Sequence, residues 1–190
     1  MDRGTAELVS SLREQINRLT VLVRALLEMS NLQAVSRGDH IELAPLTEEI
    51  LADLAPLAQQ SGVALHEECE DISIIGSDAL IYRLLFNLVE NGIKYNRPGG
   101  SVSVTVHQDA DQAVLRVSDT GCGIPNDLRE NVFQPFFRVD KSRSRKMGGA
   151  GLGLALVREI SILHGGNAEI EESSDQGTVF LITLPKKQEG

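Results

Sequence analysis

Two stretches of strict alternation confine what this chain can fold into. Residues 101–107 read SVSVTVH and residues 112–118 read QAVLRVS, with a DAD turn near their junction. A period of two places Val102, Val104 and Val106 on one side of an extended strand and hydroxyls on the other, the pattern of a half-buried hairpin. A second pair, AEIEESS at 168–174 and TVFLITLP at 178–185, repeats the pattern toward the end of the chain. A sheet with one apolar face needs a cover, and the intervening segments read as helices. LTEEILADLAPLAQQ is expected to bend at its internal Pro56 and stop at Gly62. ALIYRLLFNLVENGIKY follows Asp78, a candidate N-cap, and LGLALVREISILH is stopped by Gly165 and Gly166. HIEL and residues 63–75 read as extended. From about residue 39 the chain is therefore α+β: a two-layer α/β sandwich with helices on one face of a largely antiparallel, mixed sheet.

Ahead of this sandwich lies a long helix. Between Thr5 and Arg37 there is no Pro or Gly, and Val9, Leu12, Ile16, Leu19, Val23 and Leu26 recur in alternating steps of three and four. Leu8, Leu22 and Leu27 widen the stripe, which suits a four-helix bundle better than a two-stranded zipper. Residues 1–37 are thus expected to be part of a bundle whose partner helices lie outside this chain, with packing of the stripe on the chain's own domain as the alternative, and residues 38–190 to be a separate globular domain.

The chemistry is carried by three segments. In the helix after Asp78, Ile81, Leu84, Leu85 and Leu88 form an apolar stripe, while Asn87, Glu90, Asn91 and Lys94 form a polar one at helical spacing. Two amides, a carboxylate and an ammonium suit a hydrated Mg²⁺ and its phosphates, since magnesium keeps several waters and asks few oxygens of the protein. Taken alone, the stripe fits a solvated helix face equally well. GGAGLGLALV, residues 148–157, runs a glycine loop into a helix N-terminus, where backbone N–H groups favour an anion. By itself that loop suits a flexible connector, and it is not a P-loop, because no Gly-Lys-Ser follows. DTGCGIP, residues 119–125, sets a carboxylate at a strand end with glycines that leave room for a flat ring. An exocyclic amine such as adenine's is the donor it would accept.

In this order the three segments resemble the GHKL ATPases, a superfamily that includes histidine kinases, type II topoisomerases, a heat-shock chaperone and mismatch-repair ATPases. Within it the chain is similar to bacterial two-component sensor histidine kinases. NLVENGIKYN matches the N box, DTGCGIP the G1 box, FQPFFRVD the F box and GGAGLGL the G2 box, and the leading helix resembles the second dimerisation helix. The resemblance implies a Bergerat-type ATP-binding fold that binds ATP and Mg²⁺ and transfers the γ-phosphoryl group to a histidine. It implies that Asn87 and Asn91 serve the metal and phosphates and that Lys94 and Tyr95 contact phosphate and nucleotide. Asp119 would bind the adenine amine, with Gly121 and Gly123 beside the base and Thr178 closing over it. Glu90 would stand in the acid–base position and Arg138 near the terminal phosphate. Gly149, Gly151 and Gly153 would line the phosphate loop, and residues 139–150, with Lys141, Arg143, Arg145 and Lys146, would form a lid over ATP.

The expected phosphoacceptor, a histidine followed by an acid on a first dimerisation helix, has no counterpart here. His66 in HEECE, His40 and His107 read as strand residues, and His164 as a helix-end residue. The chain thus reads as one bundle helix plus a catalytic and ATP-binding domain. Its implied partners are the phosphoacceptor helix of the longer kinase, a cognate response regulator and a second copy in a homodimer. The alternatives are a serine-kinase anti-sigma factor, which the F box and bundle helix disfavour, and a non-catalytic ATP-binding docking module, distinguished by whether γ-phosphate ever leaves the bound nucleotide. A net charge of −9 argues against nucleic acid, and two unpatterned cysteines fit a reducing compartment. No apolar run approaches the ~18 residues of a membrane span. The expected location is cytoplasmic, with membrane contact only through upstream segments.

Overall fold

The computed structural model describes residues 30–139 and 151–186 throughout, together with residues 9, 12, 13, 15, 16, 20, 23 and 27. The elements in chain order are β1 (Asp39–Glu42), α1 (Leu43–Ser61), β2 (Ala64–Cys69), β3 (Ser73–Gly76), α2 (Asp78–Lys94), β4 (Ser101–Asp109), β5 (Gln112–Asp119), α3 (Gly153–Leu163), β6 (Asn167–Ser174) and β7 (Gly177–Pro185). Five strands form one sheet in the order β2-β4-β5-β7-β6, and β1 pairs with β3 in a separate ribbon. Only β2 and β4 run parallel in the large sheet; its other pairs are antiparallel. The mixed sheet and helical cover expected from the alternation are thus present, with the extended segments divided between two sheets.

The periodicities become a core in a direct way. Ile81, Leu84, Leu85, Leu88 and Ile93 of α2 are essentially inaccessible, as are Val102, Val104, Leu115, Val117, Ile182 and Leu184 from the sheet. Burying one such aliphatic side chain is worth about 1.5–3 kcal/mol, so the stripe on α2 is held against the sheet far more firmly than any surface contact could hold it. Helix α1 starts at Leu43, three residues before the segment read from sequence, and continues through Pro56. Its first N–H is taken by the Ile72 carbonyl at 3.0 Å. Gly62 ends it in the left-handed region, at φ 66°, where a side chain would be strained.

The start of α2 differs from expectation. Ser77 is the N-cap, with no side-chain cap bond, and Asp78 is the first helical residue. The Asp78 N–H is received by Asp39 Oδ2 from β1 at 3.1 Å, so a carboxylate distant in sequence satisfies the helix dipole. The Ser77 N–H donates to His164 Nε2 at 3.0 Å, while His164 Nδ1 lies 2.8 Å from the Ile160 carbonyl. A neutral ring with its proton on Nδ1 satisfies both bonds. His164 thereby ends α3 and fastens it to the start of α2.

At the other end of the chain, each described residue from 9 to 31 is helical. Val9, Leu12, Ile16, Val23 and Leu27 stay exposed, at 40% to 60% of their surface, so these residues of the stripe do not pack on the sandwich. Leu8, Leu19, Leu22 and Leu26 lie outside the described residues. Among the described residues no helix is long and apolar enough to cross a membrane.

Burial first, with the nearby Arg37 charge adding to it, holds the His164 pKa below its ordinary 6.5 despite the bond to Ile160. On acidification the unfolded chain therefore takes up a proton that the folded ring resists, and stability is expected to fall as pH drops below about 6.5. Thermal melting across that range checks this. His164→Gln, which keeps a neutral donor and acceptor, is expected to flatten this part of the profile.

Candidate functional site

Helix α2 carries two stripes, and fixing one fixes the other. With the leucines turned onto the sheet, Asn87, Glu90, Asn91 and Lys94 are left partly exposed on an adjoining face. Asn87 Nδ2 donates to the Arg83 carbonyl one turn back at 2.8 Å, which commits its amide nitrogen and leaves Oδ1 turned toward the start of α3. There Gly153 leaves a gap: a Cβ at that position would sit 3.1 Å from Asn87 Oδ1 and 3.6 Å from Asn91 Nδ2. The two asparagines expected to act together therefore do face the glycine-rich helix start. Glu90 and Lys94 are joined by an ion pair of 2.7 Å, each about a quarter exposed.

The last turn of α2 approaches the end of β5. Gly92 makes this possible, because a Cβ there would come within 3.0 Å of Val102 and 3.4 Å of Asp119 Cβ. Asp119 closes β5 between Val102 on one neighbouring strand and Thr178 on the other. Its Oδ1 accepts the Gly121 N–H at 2.8 Å. Burial raises the Asp119 pKa above the ordinary carboxylate value of 3.8, and bonds from the Gly121 and Thr178 backbones only partly oppose it. A half-buried acceptor at a strand end, backed by two N–H donors, suits an incoming N–H group.

The loop after Asp119 is held from several sides. Gly121 lies against the Tyr95 carbonyl, which also receives the Cys122 N–H at 3.4 Å. Gly123 has φ 68°, and any Cβ there would overlap the Ser174 carbonyl, so both conformation and space require glycine. The Thr120 hydroxyl receives the Ser101 N–H at 2.9 Å and donates to Asn96 Oδ1 at 3.1 Å, and Asn96 Nδ2 donates to the Ser101 carbonyl at 2.9 Å. This bracket of Asn96, Ser101 and Thr120 ties the end of α2 to β4 and to the loop. It was not singled out from sequence, although Asn96 stands just beyond the polar stripe in KYNRPGG. Ser173 and Arg129 were also missed: the Ser173 carbonyl accepts from Arg129 Nη2 and its Oγ receives the Ile124 N–H at 2.8 Å.

Thr178 is buried beside Ser173, and their hydroxyl oxygens are 2.9 Å apart. Arg138 and Gly151 lie together, with a Cβ on Gly151 reaching within 3.2 Å of Arg138 Cγ. Gly151 also accepts the Phe136 N–H at 2.8 Å. Tyr95 is exposed at the C-terminal end of α2. Gly149 and the cationic run Lys141, Arg143, Arg145 and Lys146 lie outside the described residues, as does most of the expected lid.

Known proteins arrange the same elements in the same way. The family model described as histidine kinase-, DNA gyrase B-, and HSP90-like ATPase matches residues 76–188. Sensor histidine kinase RppB of Synechocystis sp. is 33% identical over 184 residues, covering 94% of this chain and 40% of RppB. Among solved structures, the mycobacterial sensor histidine kinase MprB superposes with a TM-score of 0.69 at 28% identity, over 80% of this chain and 99% of that one. Histidine kinase ThkA in complex with response regulator TrrA superposes with a TM-score of 0.72 at 25% identity, over 98% of this chain and 53% of that one. The chain belongs to the histidine kinase-, DNA gyrase B- and HSP90-like ATPase family, as an ATP-binding region of the sensor histidine kinase class. It spans less than half the length of RppB.

Because burial raises the Asp119 pKa, ionising this group costs the fold stability at neutral pH, and the cost vanishes once both states are protonated. Asp119→Asn is therefore expected to melt at the same temperature as wild type or higher near neutrality. That advantage should close as pH falls through the raised folded-state value, and be nearly gone by the ordinary value of 3.8. Melting curves of the two proteins at several pH values check the sign.

Proposed function

We propose that residues 38–190 bind Mg-ATP and transfer its γ-phosphoryl group to a histidine on a separate helix, for relay to a response regulator. The observation that carries this reading is that one helix joins two half-sites: the last turn of α2 meets Asp119, while its polar stripe faces Gly153 at the start of α3. In this reading the Asp119 carboxylate accepts the adenine amine, Gly121 and Gly123 flank the base, and Thr178 closes over it. Gly149, Gly151 and Gly153 receive the phosphates on main-chain N–H groups and the N-terminal end of α3. Lys94, Tyr95 and Arg138 add contacts to phosphate and nucleotide.

The residues present fit a magnesium ion. Asn87 Oδ1 is the oxygen at the gap beside Gly153, and Asn91 Nδ2 on the same side suits a phosphate oxygen. A bound Mg²⁺ would neutralise the phosphate charge. In this reading Glu90, on the same face, takes the proton of the attacking histidine once Lys94 turns from it to phosphate.

The acceptor, in this reading, lies on a helix outside these residues. Of the four histidines, His40, His66 and His107 stand on strands, and His164 is buried with both ring nitrogens engaged. Residues 1–37 serve as the second helix of a dimerisation bundle, and the exposed Val9, Leu12, Ile16, Val23 and Leu27 support a partner there. The complex of ThkA with a response regulator supports the relay. In this reading the domain acts in the cytoplasm.

Losing a charged hydrogen bond costs about 1.5–3 kcal/mol, so Asp119→Asn is expected to weaken ATP roughly tenfold to a hundredfold. Calorimetric titration checks it, and binding within about twofold of wild type would remove the adenine assignment. Incubated with radiolabelled ATP, this chain is expected to form no acid-labile, base-stable phosphohistidine. It should label a separately supplied helical hairpin bearing a His-acid segment, and Glu90→Gln should slow that transfer while leaving ATP affinity intact.

A further inference from the structure

Strand β6 does not keep one phase along its length. Ala168 and Ile170 pair with the inward-facing Ile182 and Phe180, but the register then shifts, so that Glu172 pairs with Val179 and Ser173 with Thr178. Glu171 is the extra residue. An unbroken alternation would have set Glu172 beside Thr178 and turned Ser173 to the opposite face; the bulge exchanges them. On the outer face, Glu171 is gripped by Arg116 of β5 through two bonds, Nε to Oε2 at 2.8 Å and Nη2 to Oε1 at 3.0 Å. This fork reaches across β7 and pins the bulge at its one irregular position.

The consequence is a buried hydroxyl behind the base-binding corner. Ser173 Oγ receives the Ile124 N–H at 2.8 Å, lies 2.9 Å from Thr178 Oγ1 and is within 3.4 Å of the Gly177 carbonyl. One atom thus joins the loop that carries Gly121 and Gly123 to the residue whose backbone bonds Asp119. Arg129 Nη2 holds the Ser173 carbonyl from the other side. Steric contact is equally close, since Gly123 has no room for a Cβ against Ser174, nor Gly177 against the Asp119 carbonyl.

We propose that Ser173, set inward by the Glu171 bulge, is a positioning residue for base selectivity: it holds the Asp119 loop and Thr178 at the spacing that admits an amine-bearing purine. This rests on the adenine reading of Asp119. Ser173 touches no nucleotide itself. It acts through Ile124 and Thr178.

The test compares two nucleotides that differ only at the base amine, Mg-ATP and the triphosphate of purine riboside, which lacks it. Ser173→Ala removes the equivalent of one to two neutral hydrogen bonds and is expected to weaken ATP about fivefold to tenfold. Affinity for the purine analogue should change less than about twofold. Ser173→Thr, which keeps the hydroxyl, should restore most of the preference for ATP. Should the alanine variant fail to fold, Ser173→Cys, close in size and weak in hydrogen bonding, should show the same selective loss. An equal loss for both nucleotides, or no loss for either, overturns the proposal and leaves Ser173 a packing residue. Asp119→Asn measured alongside separates the two levels. If it lowers the preference for ATP while the Ser173 variants do not, only this inference fails; if it leaves the preference unchanged, the adenine reading fails and this inference with it.

Discussion

Helix α2 lies against the sheet with Ile81, Leu84, Leu85, Leu88 and Ile93 beneath it, and the rest of the molecule is arranged around that contact. Rotating the helix by one residue, about 100°, would expose the leucines and bury amides and charges in their place. The penalty for that exchange is many times larger than any contribution from the asparagines themselves. The polar stripe is therefore aimed by the apolar one. Gly92 adds the remaining degree of freedom, distance, by letting the last turn settle against Val102 and Asp119. A site with one half on a helix and the other on a strand end stays in register because the core between them cannot slip.

At the end of β5 the balance of forces is reversed. Asp119 is placed where burial disfavours its charge, and only two backbone donors oppose that cost. The surroundings are correspondingly constrained: Tyr95 and Cys122 close one side, the bracket of Asn96, Ser101 and Thr120 another, and the β6–β7 turn a third. Such a corner is held by many small bonds, each of about 1 kcal/mol, where α2 is held by a few large burials. Here the fold accepts a local cost, and the group that causes it is the one to which the proposed function gives the adenine amine.

The helix ends show the same reliance on distant partners. Asp39 of the β1–β3 ribbon receives the first N–H of α2, and His164 at the end of α3 receives that of Ser77. The segment leading out of the N-terminal helix is thereby bonded to the start of the helix that bears the polar stripe. Covalent neighbours supply neither cap. Residues 39–42 are thus tied at once to β3, to the start of α1 and, through Asp39, to the first N–H of α2.

Much of this was legible in the order of residues. Alternation at 101–118 and 168–185 and the paired stripes on α2 come from periods of two and 3.6, which depend only on chain geometry. Glycines in DTGCGIP, and Gly62 after α1, mark backbone that side chains would strain or block. What lay beyond the sequence was every feature made by residues far apart along it. Ser77 rather than Asp78 is the cap, with Asp39 and His164 arriving from elsewhere, and the bulge at Glu171 is invisible in EIEESS because Arg116, the partner that grips it, stands on another strand. Local sequence determined which elements form and which faces they present. Tertiary structure alone decided which of several equivalent hydroxyls and carboxylates meet, since a hydrogen bond depends on position to within tenths of an ångström, and only the packed core fixes positions that closely.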